Sequence, residues 1–207
     1  VCFLQEAKVC QQKVVDVYQS WGLEEDVQAV VSALTIGEKS ELTPELKAMY
    51  SAAGASHVLA LSGVHVGIFS CILLWLFYPL TYLKHGRKML ALLVVCLLWG
   101  FAFISGLSSS VVRAVVMYSL YTLASFCLEE RFSGMHSLVL AAFLMLVYNP
   151  FFLFDISFQL SFAAVFSILA FYPLFSRSLC IKNRVLRYVW NTLSLSMSAQ
   201  LGTLPFL

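Results

Sequence analysis

Charge is scarce in this 207-residue sequence: 12% of residues are charged and 60% are hydrophobic. A soluble domain carries about a quarter charged residues. The shortfall, with a positive mean hydropathy, excludes an ordinary soluble domain and reads as an integral membrane protein. Paired cysteine motifs are missing too. Cys2, Cys10, Cys71, Cys96, Cys127 and Cys180 are scattered without a CxxC spacing. Four of them lie in or beside apolar runs, where cysteine behaves as a small hydrophobe, which argues against a disulfide framework or a metal site. The first residues hold no basic stretch leading into an apolar core, so no cleavable signal is expected. A start methionine is lacking and the last residue falls inside an apolar run, as in a piece of a longer chain.

Residues 1–56 are where charge is concentrated, with eight acidic residues against four lysines, a balance of −4. Apolar residues there recur at helical spacing. Val9, Val14, Val17, Tyr18 and Trp21 predict one face of a helix ending at Gly22, and Val27, Val30, Val31 and Leu34 a face of a second ending at Gly37. A third helix starts where Thr43 can cap and Pro44 can take the first helical position, and closes at Gly54. These amphipathic helices either lie on a membrane or cap the bundle that follows.

From His57 onward come six apolar segments, roughly 57–80, 88–106, 109–128, 136–149, 151–175 and 188–207. The expected architecture is all-α: a polytopic transmembrane helix bundle over 57–207, preceded by the amphipathic segment 1–56. The fourth segment is short and runs through Asn149-Pro150 into the fifth, so it is tilted, re-entrant or half of a broken pair. The sixth, with Ser194, Ser196, Ser198, Gln200, Gly202 and Pro205, is the least lipid-like and is expected to take an interior position.

Basic residues orient the bundle. Lys84, Arg87 and Lys88 follow the first segment, Arg131 the third, and Arg177, Lys182, Arg184 and Arg187 the fifth, while Gly106–Ser109 and Asn149-Pro150 hold none. By the positive-inside rule the basic loops are cytoplasmic and the acidic segment 1–56 is extracytoplasmic. Arg113 and Asp155 each follow a cation-free turn by a few residues, which sets both about 5–10 Å below the outer surface. Facing lipid at the bilayer centre, each would cost about 2.5–3.5 kcal/mol. Both are therefore expected to face inward, towards each other or towards water.

Two stretches carry polar groups where a spanning helix should be apolar. His57, Ser62, Gly63, His65 and Gly67 open the first segment. Ala60-Leu61-Ser62-Gly63 faintly resembles the Gly-x-Ser-Gly of rhomboid proteases, but the first glycine is alanine and no later span contains a histidine to serve as base. Packing of a helix through Gly63 and Gly67, a small-xxx-small pair, is the plainer reading. In the fifth segment Asp155 and Gln159 are four apart beside Phe151, Phe154, Phe158, Phe162 and Phe166. Such a stripe either packs or faces lipid, or it stacks single-stranded bases at about 1–3 kcal/mol each. Asp155 would repel phosphates and is expected to hold Arg113 or a helix end in place. Without further comparison, the residues describe a transporter or channel of unspecified cargo.

Taken together, the motifs resemble a known family. His57 to Gly67, preceded by Gly37-Glu38-Lys39-Ser40 and Leu46 to Gly54, is similar to the entry of the competence domain of the ComEC family, the bacterial DNA-uptake channels. Gly106 to Ser110 with Arg113-Ala114, Asp155 to Phe162, and Ser198 to Pro205 resemble its later landmarks in order. The resemblance runs from about Ala33 to Leu207. It implies a multi-pass protein of the bacterial inner membrane importing single-stranded DNA, with no cofactor. DNA-receptor and cytoplasmic translocation proteins, or further copies of the chain, are the implied partners. It marks His57, Ser62, Gly63, His65, Arg113, Asp155, Gln159 and Gln200 as candidates for the DNA path or its structural core. Nuclease activity in the family belongs to a metallo-β-lactamase-like domain, and no His-x-His-x-Asp cluster occurs here, so this chain is expected to be no enzyme. An intramembrane serine protease using Ser62 and an exporter of lipid or polysaccharide are the alternatives.

Overall fold

A computed structural model describes the chain apart from residues 1, 23, 39–41, 53–62, 128–133, 180–182 and 207. The described residues form nine α-helices and three short 3₁₀ turns: α1 (Cys2–Ser20), α2 (Glu25–Thr35), α3 (Pro44–Ala52), α4 (Gly63–Leu76), α5 (Gly86–Ile104), α6 (Ser109–Cys127), α7 (Gly134–Tyr148), α8 (Ile156–Ser178) and α9 (Arg184–Thr203). No strand occurs among them. Three helices, α5, α6 and α8, are long and apolar enough to cross a membrane, and α4 and α7 are shorter apolar helices. The fold is therefore a transmembrane helical bundle. It divides into two compact units, Val1–Glu129 and Glu130–Leu207.

In the first unit α4, α5 and α6 share one core, built on Val66, Leu73, Leu90, Val94, Leu98, Ala102, Val111 and Val115. Gly63 approaches Ala114 and Gly67 approaches Tyr118, so α4 and α6 run in the same direction. Arg87, at the start of α5, reaches the end of α6, where its guanidinium donates to the Ser125 carbonyl at 3.4 Å and lies 6.0 Å from the Phe126 ring centroid. It thereby supplies a cation to the carbonyl-rich C-terminus of α6. The 3₁₀ turn Tyr78–Tyr82, with Pro79, breaks the chain between α4 and α5.

The N-terminal helices belong to this unit, with α1 packed along α5. Their ends match the sequence signals. The Leu46 amide donates to Thr43 Oγ1 at 3.2 Å, as expected of a cap before Pro44; Gly54 lies outside the described residues. Gly22 and Gly37 follow α1 and α2 with φ of +65° and +74°. The buried face of α1, however, is not the valine face. Ala7, Gln11 and Val15 are buried, whereas Val9, Val17 and Trp21 are exposed. In α2 the buried residues are Ala29, Ser32 and Ala33, with Val27 exposed. In α2 the small residues let the helix approach Leu42 and Leu46 closely enough to exclude solvent.

In the second unit α7 ends at Tyr148 and the chain turns through Asn149, whose extended backbone (φ −150°, ψ 104°) is the conformation a following proline imposes. The turn Pro150–Phe154 separates α7 from α8, so 151–154 are not part of the fifth helix. α8 and α9 pack along their length in opposite directions. Near one end Trp190 Nε1 donates to the Phe175 carbonyl at 3.1 Å. Near the other, a side chain at Gly202 would run into Ser167 Oγ and sit 2.6 Å from the Ala163 carbonyl oxygen. Ser194 and Ser198 continue that seam and are buried. α9 is not an interior helix on all sides: Leu193, Leu195, Met197 and Leu201 are exposed.

Candidate functional site

Two of the eight sequence-derived candidates, His57 and Ser62, lie outside the described residues. The other six fall three to each unit.

Gly63 opens α4, and a Cβ there would lie 3.6 Å from Ala114 Cβ, an ordinary contact. One turn on, a Cβ at Gly67 would overlap the Tyr118 hydroxyl. The pair is thus a packing surface against α6, as its spacing suggested. His65 is half-buried and sits on the opposite side of α4 from Gly63. Arg113 is 4% exposed. It stands in the second turn of α6, across the helix from the Val111, Val115 and Thr122 stripe that faces the unit's core. A cation near a helix N-terminus opposes the macrodipole, and a buried one also loses its hydration.

The turn just before it is tightly built. Gly106 (φ +69°) and Leu107 (φ +54°) both take left-handed backbone conformations between α5 and α6. Against Gly106 lies the carboxamide of Gln11, which donates to the Ile36 carbonyl at 3.0 Å and the Ser105 carbonyl at 3.5 Å. One buried amide thereby joins α1, the end of α2 and the α5–α6 turn. The sequence reading missed Gln11 because it followed the valines; the signal was the Ala7, Gln11, Val15 spacing of four.

In the second unit, Asp155 precedes α8 and accepts the Ser157 amide hydrogen at 3.0 Å through Oδ1. A carboxylate there satisfies an orphan amide and faces the positive end of the helix dipole. Gln159 reaches back to donate to the Leu153 carbonyl at 2.6 Å, and Asn149 Oδ1 accepts the Phe151 amide hydrogen at 3.1 Å. These three polar side chains brace the turn between α7 and α8. The aromatic stripe is broken accordingly. Phe151 and Phe154 are exposed on the turn, while Phe158 is buried, 4.4 Å from Phe162 and 6.2 Å from Phe152, centroid to centroid. Gln200 is exposed, donates to Ser196 Oγ at 3.4 Å and lies across α9 from the Ser194–Ser198 seam.

Comparison with known proteins places this arrangement. The protein family described as Competence protein matches residues 34–207. The chain is 33% identical over 182 residues to ComE operon protein 3 of Bacillus subtilis (strain 168), covering 88% of this chain and 22% of that protein. It is 33% identical over 167 residues to an uncharacterized protein of Aquifex aeolicus (strain VF5), covering 80% of this chain and 38% of that one. The chain thus spans well under half the length of these relatives. No solved structure matches it. The matched region begins within α2 and takes in the rest of the first unit, the whole of the second, every described candidate residue and the Gly106 turn, and with it the chain belongs to the competence protein family.

Proposed function

We propose that this chain contributes to an inner-membrane channel through which single-stranded DNA enters the cytoplasm during natural transformation, and that it is no enzyme in its own right. The match of the competence family across residues 34–207 carries the reading, and Arg113, buried near the N-terminus of an apolar helix, is the cation assigned to the phosphodiester backbone. The competence family and the resemblance to ComE operon protein 3 support the assignment.

In this proposal the cation-free turns Gly106–Ser109 and Asn149-Pro150 face outward, and so does the acidic segment 1–56. The basic turns face the cytoplasm. Residues 1–56 act as an extracytoplasmic cap and 57–207 as the channel domain. His57, His65 and Arg113 meet the entering strand, with Ser62 and Gln200 along the path. Gly63 shapes the packing, and Asp155 and Gln159 hold the mouth of the second unit in form. Receptor and translocation proteins of the competence machinery, or a second copy of the chain, complete the assembly.

Replacing Arg113 by alanine should lower uptake of labelled DNA at least about tenfold, the loss of one charge-assisted contact of about 1.5–3 kcal/mol. Membrane abundance should stay unchanged. Transformation equal to wild type in a well-expressed Arg113→Ala strain would remove the assigned role.

A further inference from the structure

α9 is the one long helix of the second unit that falls short of a membrane span in hydropathy, although it lies along α8, which qualifies. Polar residues run along its whole length, and those at its start share a face. In its first two turns Arg184, Arg187, Tyr188 and Asn191 fall at i, i+3, i+4 and i+7, one face of the helix. With Val185 they line an open groove of about 520 Å³.

The rotation of α9 that presents this face is fixed. Trp190 projects from another side of the helix and donates to the Phe175 carbonyl at 3.1 Å, one of the orphan carbonyls in the last turn of α8. Ser178 Oγ donates to the same carbonyl at 2.7 Å. The Val185 amide is already taken by Asn183 Oδ1 at 3.1 Å, so the groove's donors are side chains rather than the helix end.

Beside the arginines, Val185, Leu186, Tyr188 and Val189 are exposed. A groove serving an aqueous nucleic acid gains nothing from exposed valine and leucine. At the edge of a bilayer the same set is satisfied throughout: aliphatic side chains in the acyl boundary, a tyrosine at headgroup level, and two guanidinium groups on phosphate oxygens.

We propose that the first two turns of α9 bind the headgroup of an anionic phospholipid. Arg184 and Arg187 take its phosphate, and Tyr188 and Asn191 supply further hydrogen bonds. The proposal does not depend on the reading of the chain as a DNA channel.

The test uses the purified full-length protein in a neutral detergent, titrated with dioctanoyl-phosphatidylglycerol and, separately, dioctanoyl-phosphatidylcholine. Wild type should prefer the anionic lipid about 10- to 30-fold, the effect of two basic residues at a lipid surface. Arg184→Gln with Arg187→Gln should abolish the preference, and Arg184→Lys with Arg187→Lys should keep most of it. A fifteen-residue oligothymidylate, titrated in parallel, should bind the glutamine variant as it binds wild type. Equal lipid preference in wild type and the glutamine variant would overturn the proposal. So would loss of the preference in the lysine variant, or loss of oligothymidylate binding in the glutamine variant, which would mark the groove as a nucleic-acid contact.

Discussion

Single side chains hold the first unit's turn together. Gly106 is needed twice over: its φ of +69° favours glycine, and the Gln11 carboxamide occupies the space a Cβ would take. An alanine there costs about 1–2 kcal/mol for the left-handed backbone alone, with the displacement of Gln11 added. Gln11→Ala by itself leaves the Ile36 carbonyl without its 3.0 Å donor, at a cost of about 1–3 kcal/mol. Because both changes act on one contact, they should be sub-additive. Thermal melts of Gly106→Ala, Gln11→Ala and the double variant should show the second change costing less than it does alone. Full additivity would mean that the amide does not sit on the glycine.

Between elements, the decisive quantity is how closely two helices approach. Membrane helices gain no hydrophobic stabilisation from leaving lipid, so close backbone approach through small residues has to supply the packing energy. Gly67 and Gly202 both allow such an approach, but their neighbours differ in how far they can give. At Gly67 the obstacle is the hydroxyl of Tyr118, the far end of a side chain; at Gly202 it includes the backbone oxygen of Ala163. Gly67→Ala should therefore be mild and be relieved by Tyr118→Phe. Gly202→Ala should force α8 and α9 apart, an overpacking cost of about 1–3 kcal/mol. Comparing detergent melting temperatures checks this: the Gly202 variant should melt lower than the Gly67 variant. Reversal of that order would show that the α8–α9 seam is looser than its geometry. The buried hydroxyl of Ser194 has no hydrogen-bond partner among the described residues, which fits a seam chosen for size rather than polarity.

For the molecule as a whole, charge distribution makes the next prediction. With the basic residues between the apolar segments confined to alternate turns, cysteines added at positions 84 and 177 of a variant without its native cysteines should react with an impermeant maleimide only after the inner membrane is opened. Cysteines at 108 and 150 should react in intact spheroplasts. Labelling in the opposite sense would invert the proposed direction of transport and move Arg113 to the exit side.

Hydropathy made the bundle legible without coordinates, because lipid selects long apolar helices whatever their neighbours are. The helix breaks were equally local: Asn149-Pro150 cannot continue a helix, and Thr43 ahead of Pro44 is a cap in any context. What the sequence left open was which side of each helix matters. The valines of α1 mark an apolar face, yet Ala7, Gln11 and Val15 are buried, with the Gln11 amide bound to the Ile36 and Ser105 carbonyls. Asp155 and Gln159 read as a polar pair on one helix face. Asp155, expected to hold Arg113 or a helix end, caps α8, and Gln159 braces the same turn, because the chain breaks just before them and leaves amides and carbonyls that need partners. Solvent preference is a property of each segment alone and is written along the chain. The choice of face, and the task of each polar group, depends on which neighbour arrives and how close, and that exists only once the helices have packed.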